Sequence, residues 1–155
     1  MRTKRQTVLE GVAWLLLLVS YGVAIAGMYR LPDTIATHFM LDGTPNGYGS
    51  PGSLLIAPII MTFPLALVSL MTHFMPVDML NIPFEMHKEN EERVYQTIIT
   101  MLHALQVEIS GYVLYVTIMS YRQDGRIMPC LVLFLGILAV TVIGATWRAY
   151  RINQQ

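Results

Sequence analysis

Charged residues and cysteines are scarce in this sequence. Only 13% of the 155 residues are charged, the formal net charge is zero, and Cys130 is the one cysteine. A lone cysteine excludes an internal disulfide and a metal site built from several thiolates. The balanced charge and the lack of a basic cluster argue against a nucleic-acid partner.

Motifs that would indicate catalysis are also missing. The sequence contains no HExxH metalloprotease motif, no GxSxG nucleophile motif and no P-loop, and no Ser/His/Asp set can be recognised. The stretch from Asp42 to Gly47 has a passing likeness to a calcium loop, but it lacks the alternating acidic ligands and the final Glu. The sequence therefore predicts no enzyme, no cofactor and no metal site.

What the sequence does contain is apolar residues in long runs. Hydrophobic residues make up 54% of the chain, and the mean hydropathy is +0.51. A run of about 20 apolar residues in a helix matches the roughly 30 Å hydrocarbon layer of a bilayer. The sequence predicts an all-α membrane protein, one integral membrane domain over residues 1–155, with spans at about Val8–Tyr29, Leu54–Phe74, Ile98–Met119 and Ile127–Trp147.

Lysine and arginine in the short loops predict the orientation. With the first residues inside, seven basic residues lie inside and three outside, which favours cytoplasmic N- and C-termini in a plasma membrane. The outer loop is then 30–53 and the inner loop 75–97. No helix breaker interrupts the stretch from Glu89 to Ser120, so the third helix is expected to extend into the cytoplasm.

The outer loop is rich in turn-forming residues. Asp42-Gly43 and Asn46-Gly47 are both turn dipeptides, and the residues from Asp33 to His38 could begin a short interfacial turn. Aromatic residues that could anchor the loop, Phe39 and Tyr48, favour an ordered compact loop over a flexible linker. We interpret it as a recognition surface for an extracellular peptide or a membrane partner, with candidate residues His38, Phe39, Asp42, Asn46 and Tyr48.

Two ionisable residues lie inside the predicted third span, where they are costly and therefore candidates for function. His103 and Glu108 are five positions apart, about 140° around a helix, so they do not share a face. Glu108 lines up with Tyr112 and Tyr115, whose hydroxyls could donate to it. Two readings stay open for Glu108: hydrogen-bonded contact between helices, or a proton relay or polar pocket. For His103, with Gln106 three residues on, a satisfied polar contact is favoured.

Two stretches resemble a known membrane family. Leu31-Pro-Asp-Thr-Ile-Ala-Thr-His-Phe and Asp42-Gly-Thr-Pro-Asn-Gly-Tyr-Gly-Ser are similar to the loop signature of domain of unknown function 1648. Asn81-Ile-Pro-Phe, Glu89-Asn-Glu-Glu-Arg-Val-Tyr and Leu105-Gln-Val-Glu are similar to the second half of the SdpI-type immunity proteins of Gram-positive bacteria.

The resemblance implies a multispanning bacterial membrane protein whose relatives protect a cell from its own secreted toxic peptide and signal to a repressor. Residues matching the loop signature are Pro32, His38, Phe39, Gly43, Pro45, Gly47 and Ser50. Residues matching the helix signature, expected to signal in the cytoplasm, are Asn90, Glu91, Arg93, Tyr95 and, within the membrane, Glu108. The sequence departs from the signature at Ala36, Asn46, Tyr48 and Pro51, which replace Pro, Asp, Trp and Lys.

The leading hypothesis is a sensing or immunity module for an extracellular peptide toxin, with the segment Pro76–Arg93 reporting inward. One alternative is a small proton-coupled transporter built around Glu108, gated by a second span that Pro58 and Pro64 would kink. Since four spans are few for a carrier, this alternative requires a homo-oligomer. Another alternative is an accessory subunit of a larger membrane complex.

Overall fold

The computed structural model describes residues 2–74, 76, 79 and 81–155, of which 128 and 129 by their backbone alone. Its helices and strands are α1 (Lys4–Arg30), β1 (Ile35–Phe39), β2 (Pro45–Gly49), α2 (Ile56–Phe74), α3 (Glu91–Tyr121) and α4 (Ile127–Asn153). Short 3-10 helices at Pro51–Leu55 and Lys88–Asn90 lead into α2 and α3. The prediction of four helices long and apolar enough to cross a membrane is confirmed.

The helix α3 lies at the centre of the bundle and contacts each of the other three helices, α1 most extensively. Its buried residues from Ile99 to Thr117 alternate steps of four and three, and those of α1 from Ala13 to Gly27 do the same. This spacing is typical of two helices that pack at a small angle along their whole length. Several residues in the seam are small, including Ser20, Ala24 and Ser110, so the backbones approach closely.

The helix α4 lies at the edge of the bundle. It packs on α3, and no residue in its most apolar 18-residue stretch is buried within the chain. Its outward side chains are apolar, with Val132, Val140 and Ile143 each about 70% exposed. In a membrane protein such a surface faces lipid or a second membrane protein, because neither requires the polar surface that water does.

The outer loop corrects the all-α prediction. Residues from Ile35 to Phe39 and from Pro45 to Gly49 form a two-stranded antiparallel hairpin in place of the expected interfacial turn. Its buried residues Ile35, Ala36 and Phe39 do not alternate with exposed ones, because the register shifts within β1. Ile35 packs with Ala24 and Leu54, which seats the hairpin on the ends of α1 and the 3-10 helix.

The turn of the hairpin lies at Asp42-Gly43, as expected of that dipeptide, whereas Asn46-Gly47 is part of β2 and not a turn. The Gly43 N–H donates to the Met40 carbonyl over 2.9 Å, and Gly43 has a φ of +85°. Only glycine adopts that backbone conformation without strain. We call the end of the bundle that carries this hairpin and the α3–α4 turn (122–126) the hairpin end.

The opposite end, formed by the first turns of α1, the segment 81–94 and the last turns of α4, we call the terminal end. A small apolar core of Val94, Ile98 and Ala149 lies there, covered by Phe84 and other residues of the segment that precedes α3. The Phe84 and Tyr150 rings meet edge to face, with centroids 5.6 Å apart. Part of the predicted reporting segment, residues 77, 78 and 80, lies outside the described residues.

Candidate functional site

Four of the five candidate recognition residues surround one concavity of about 440 Å³ at the hairpin end: His38, Phe39, Asp42 and Asn46. Phe39 is buried beneath it, while His38 and Asn46 are exposed and hydrogen-bonded to each other across the two strands. Tyr48 does not line the concavity and is 67% exposed on β2. The hairpin thus brings together residues that are up to eight positions apart in the chain.

Asp42 organises the turn beside this concavity. Its carboxylate accepts the Thr44 backbone N–H at 2.9 Å and the Thr44 hydroxyl at 2.6 Å. The Thr44 hydroxyl bond, followed by the backbone bond, lowers the pKa of Asp42 from its ordinary value. A carboxylate that stays ionised and is held at a fixed angle suits recognition of a donor group on a ligand.

The hairpin is joined to the α3–α4 turn by Gln123, which the sequence reading did not single out. Its Oε1 accepts the Ala36 N–H at 2.7 Å, and its Nε2 lies 3.4 Å from the Ala36 carbonyl oxygen. The side-chain amide therefore takes the place of a neighbouring strand at the edge of β1. Gln123 has a φ of +56°, a conformation that costs a residue other than glycine some strain.

A second contact joins the tip of the hairpin to the same turn. A Cβ added at Gly125 would collide with the backbone of Gly43. Beside this contact, Asp124 and Arg126 form an exposed ion pair at 2.6 Å. The Arg126 guanidinium lowers the pKa of Asp124 to about 2. Asp42 lies across a cleft of about 240 Å³ from this pair.

Inside the bundle, His103 is buried and belongs to a polar chain that crosses three helices. Its Nδ1 lies 2.8 Å from Gln106 Oε1, and the Gln106 amide donates to the Leu65 carbonyl and to the Ser69 hydroxyl, both at 3.0 Å. The Trp14 indole also donates to Ser69 over 3.3 Å. His103 Nε2 is buried and has no hydrogen-bond partner among the described residues.

Glu10, which the sequence analysis did not select, lies near this network of polar side chains, on the side of the terminal end. Its carboxylate pairs with Arg2, whose guanidinium also lies 3.3 Å from His73 Nδ1. Glu10 lies close to Ser69 of α2 and to His103 of α3. A carboxylate that lies among three helices and pairs with one arginine is a candidate polar site. The helical spacing in the sequence did not reveal it.

Glu108 faces the other side of α3, towards α4. Thr141 donates to its Oε1 over 2.6 Å, while Oε2 is buried without a partner among the described residues. The expected tyrosine donors are engaged differently. The Tyr115 hydroxyl donates to the Arg126 carbonyl oxygen at 2.7 Å, and the Tyr112 ring stacks on Phe134 with centroids 4.3 Å apart.

The candidate signalling residues lie at the terminal end, around the last residues of α4. Asn90 Nδ2 approaches the Asn153 carbonyl oxygen at 3.4 Å, and Arg93 donates to Gln155 over 3.3 Å. Glu91 lies in the first turn of α3, where the helix dipole favours an acid, and Tyr95 is half-buried. Asn153 itself holds the preceding segment, since it accepts the His87 N–H and donates to the Glu85 carbonyl, both at 2.8 Å.

The residues that the structure describes contain no group of three or more His, Cys, Asp or Glu side chains that could hold a metal ion. In the concavity, His38 and Asp42 contribute one nitrogen and one carboxylate.

The first part of the chain matches the model of a known protein family. Residues 15–62 match the model described as Domain of unknown function (DUF1648). The match spans most of α1, the hairpin and the start of α2, about a third of the chain. It includes the loop signature and stops before the helix signature at Glu89–Tyr95. No curated protein and no solved structure shows a significant match to the chain.

The domain match and the four apolar helices together describe a multispanning membrane protein. The part of the chain that resembles the family carries the hairpin, while its contact residues Gln123 and Gly125 lie outside the matched segment.

Proposed function

We propose that this protein is a membrane sensor that binds an extracellular peptide, such as a secreted toxin, at the hairpin end and conveys binding to the terminal end. The basic residues predict that the terminal end faces the cytoplasm. The observation that carries the proposal is the pair of contacts between Gln123 and Ala36, because they join the candidate binding surface directly to the central helix. The proposal assigns no catalytic role to the chain.

Binding at the concavity would act on α3 and α4 together. The α3–α4 turn holds the hairpin through Gln123 and Gly125. At the other end of the same helix pair, Asn153 holds the backbone at His87. A peptide that shifts the hairpin therefore changes the position of the turn, and two long packed helices carry the shift to the terminal end. Such coupling requires the peptide to favour one arrangement over the other.

Protection of cells tests the binding step. The full chain is produced in a sensitive Gram-positive strain that is challenged with secreted membrane-active peptides. We expect the wild-type chain to protect and His38→Ala to lose protection at equal amounts in the membrane. His87→Ala is the matched control, since His87 is exposed at the opposite end. Protection that survives His38→Ala, Asn46→Ala and Tyr48→Ala would contradict the proposed surface.

Hydrogen exchange tests the transmission step. The His87 N–H, held by Asn153, is a reporter at the terminal end. With a protective peptide present, its exchange should change in the wild type and stay constant in Gln123→Ala, which keeps every residue of the concavity. An equal response in both chains would show that the contact between Gln123 and Ala36 does not carry the signal.

A second candidate function, a proton-coupled carrier, rests on the buried oxygen of Glu108 that has no partner. A carboxyl group that can be protonated inside the bilayer can carry a proton. In vesicles, Glu108→Gln should abolish pH-driven uptake if Glu108 carries the proton, and Thr141→Val should alter it. If Glu108 only joins α3 to α4, the glutamine side chain accepts the Thr141 hydroxyl equally well, and the pH-driven uptake stays unchanged.

A further inference from the structure

A cleft at the terminal end has no part in the function proposed above. It lies between α1, α3 and α4 and has a volume of about 350 Å³. Arg5 on α1 and Arg148 on α4 flank it, and Thr141, the partner of Glu108, also lines it. Because α4 packs on α3 at the edge of the bundle, the cleft opens towards the surrounding membrane.

The two arginines differ from the paired arginines elsewhere in the chain. Arg2 is bound to Glu10, and Arg126 to Asp124. Arg5 and Arg148 are exposed, and neither has a carboxylate partner in the part of the chain that the structure describes. Two guanidinium groups from different helices at the mouth of one cleft suit an anion, because each offers several donors in a fixed plane.

The hydroxyl groups in the cleft already have acceptors. Thr97 donates to the Arg93 carbonyl, Thr100 to the Gln96 carbonyl, and Thr141 to Glu108, each at 2.6 to 2.8 Å. The Gln96 amide, which also lines the cleft, donates to the Glu92 carboxylate over 2.8 Å. The cationic donors in the lining are the two guanidinium groups.

Part of the lining of the cleft is made of small residues. Ala104, Gly144 and Ala145 line it, and a Cβ added at Gly144 would meet no atom within 4 Å. Gly144 lies one helical turn from Arg148, about 6 Å along the axis. This stretch of small residues, which we call the slot, lies next to the two arginines. The arrangement matches a phospholipid, whose acyl chains are joined to its phosphate through the glycerol unit. A free phosphate would leave the slot empty.

We propose that this cleft binds one anionic phospholipid from the leaflet at the terminal end. The phosphodiester lies between Arg5 and Arg148, and one acyl chain runs past Gly144 along α4. A bound lipid of this kind fills the cleft between α1 and α4. Basic clefts between membrane helices are the sites where such headgroups bind.

Native mass spectrometry of the full chain in detergent tests the charge requirement, with phosphatidylglycerol as the probe and phosphatidylcholine as the comparator. We expect one phosphatidylglycerol to be retained in preference to phosphatidylcholine. The double variant Arg5→Gln/Arg148→Gln should weaken its binding about 20- to 30-fold, since each arginine near a lipid surface contributes about a fivefold gain. The matched control, Arg30→Gln/Arg122→Gln, removes the same charge at the hairpin end and should retain the lipid.

Filling the slot tests the acyl chain. Gly144→Leu should reduce retention of phosphatidylglycerol, whereas Gly136→Leu, at an equally open glycine of α4 outside the cleft, should not. Equal retention of the two lipids, equal loss in the Arg30/Arg122 control, or displacement of the lipid by millimolar inorganic phosphate would each overturn the proposal. So would full retention in Gly144→Leu.

Discussion

The two ends of the α3–α4 helix pair each hold a loop through one carboxamide side chain, and they do so in different surroundings. At the hairpin end, Gln123 binds both backbone groups of Ala36 from an exposed position. At the terminal end, Asn153 binds the backbone at Glu85 and His87 and is only 2% exposed. The geometry is similar, but the exposed partner differs. At the hairpin end the Gln123 side chain is exposed and Ala36 is buried, whereas at the terminal end Asn153 is buried and Glu85 and His87 are exposed.

The free-energy cost of breaking each contact depends on which groups lose their partners. A hydrogen bond exposed to water contributes little net free energy, because water satisfies the same groups when it breaks. A buried polar group that loses its partner costs more. Removal of Gln123 affects the backbone groups of one buried residue, whereas removal of Asn153 affects two exposed residues and also empties a buried position beside the small apolar core.

The largest expected effect is that of Asn153→Ala. It removes two hydrogen bonds, to the Glu85 carbonyl and from the His87 N–H, and empties a buried position beside the small apolar core, and should lower the free energy of unfolding by about 2–4 kcal/mol. Thermal unfolding in detergent measures this. Gln154→Ala, at the exposed neighbour, is the control, and a change of equal size there would remove the distinction between the two ends.

The next effect is that of Gly125→Ala. The new Cβ would collide with the Gly43 backbone, so the hairpin tip must move away from the α3–α4 turn. We expect a loss of about 1–3 kcal/mol, typical of overpacking, with the effect confined to the hairpin end. Gly52→Ala adds a Cβ at ordinary contact distance and should change little. Hydrogen exchange at both ends shows whether the disturbance spreads.

Gln123→Ala should have a smaller effect on global stability, about 0.5–1.5 kcal/mol, which is the net contribution of a typical hydrogen bond. The Ala36 N–H should nevertheless exchange much faster, since it loses its acceptor. Arg122→Ala, at the exposed neighbouring position, is the matched control. Unchanged exchange at Ala36 would mean that the hairpin is held by its apolar contacts alone.

The smallest expected effect is the change in stability of the hairpin end at low pH. The pKa of Asp124 is lowered to about 2, so its contribution to stability is present above the ordinary carboxyl value near 4 and is lost as the pH falls through about 2. Acidification across this range should loosen the α3–α4 turn and lower the protection of amides at the hairpin end, relative to their intrinsic exchange rates, before the terminal end changes. Asp124→Asn should remove that part of the pH dependence, and a response that persists in Asp124→Asn belongs to another group.

The four helices were predictable because a bilayer demands long apolar runs, and the sequence shows them plainly. The placement of His103 and Glu108 on different sides of α3 followed from helical geometry, and they do face different helices. The hairpin was not predictable in the same way. Its second strand, Pro45–Gly49, contains one proline and two glycines, which are rare in strands, and the register shift in β1 hides the alternation that identifies a strand.

The contacts between distant segments were harder still to predict. Gln123 and Ala36 are 87 positions apart, and Asn153 and His87 are 66 apart. A single glutamine in a short turn and a single asparagine near the end of a helix carry no periodic pattern. Their roles depend on which backbone groups the fold leaves without partners, and only the folded arrangement determines that.

The close approach of Gly43 and Gly125 has a consequence for how related sequences can change. Gly43 lies inside the segment that matches the domain family, whereas Gly125 lies far beyond it. A larger residue at position 125 requires a different hairpin tip, so substitutions at the two positions are expected to occur together. A related sequence that keeps this loop but has a different helix pair after it needs its own small residue where that pair contacts the hairpin tip. Matched substitutions at the hairpin tip and at this contact would show that the loop and the helix pair evolved together.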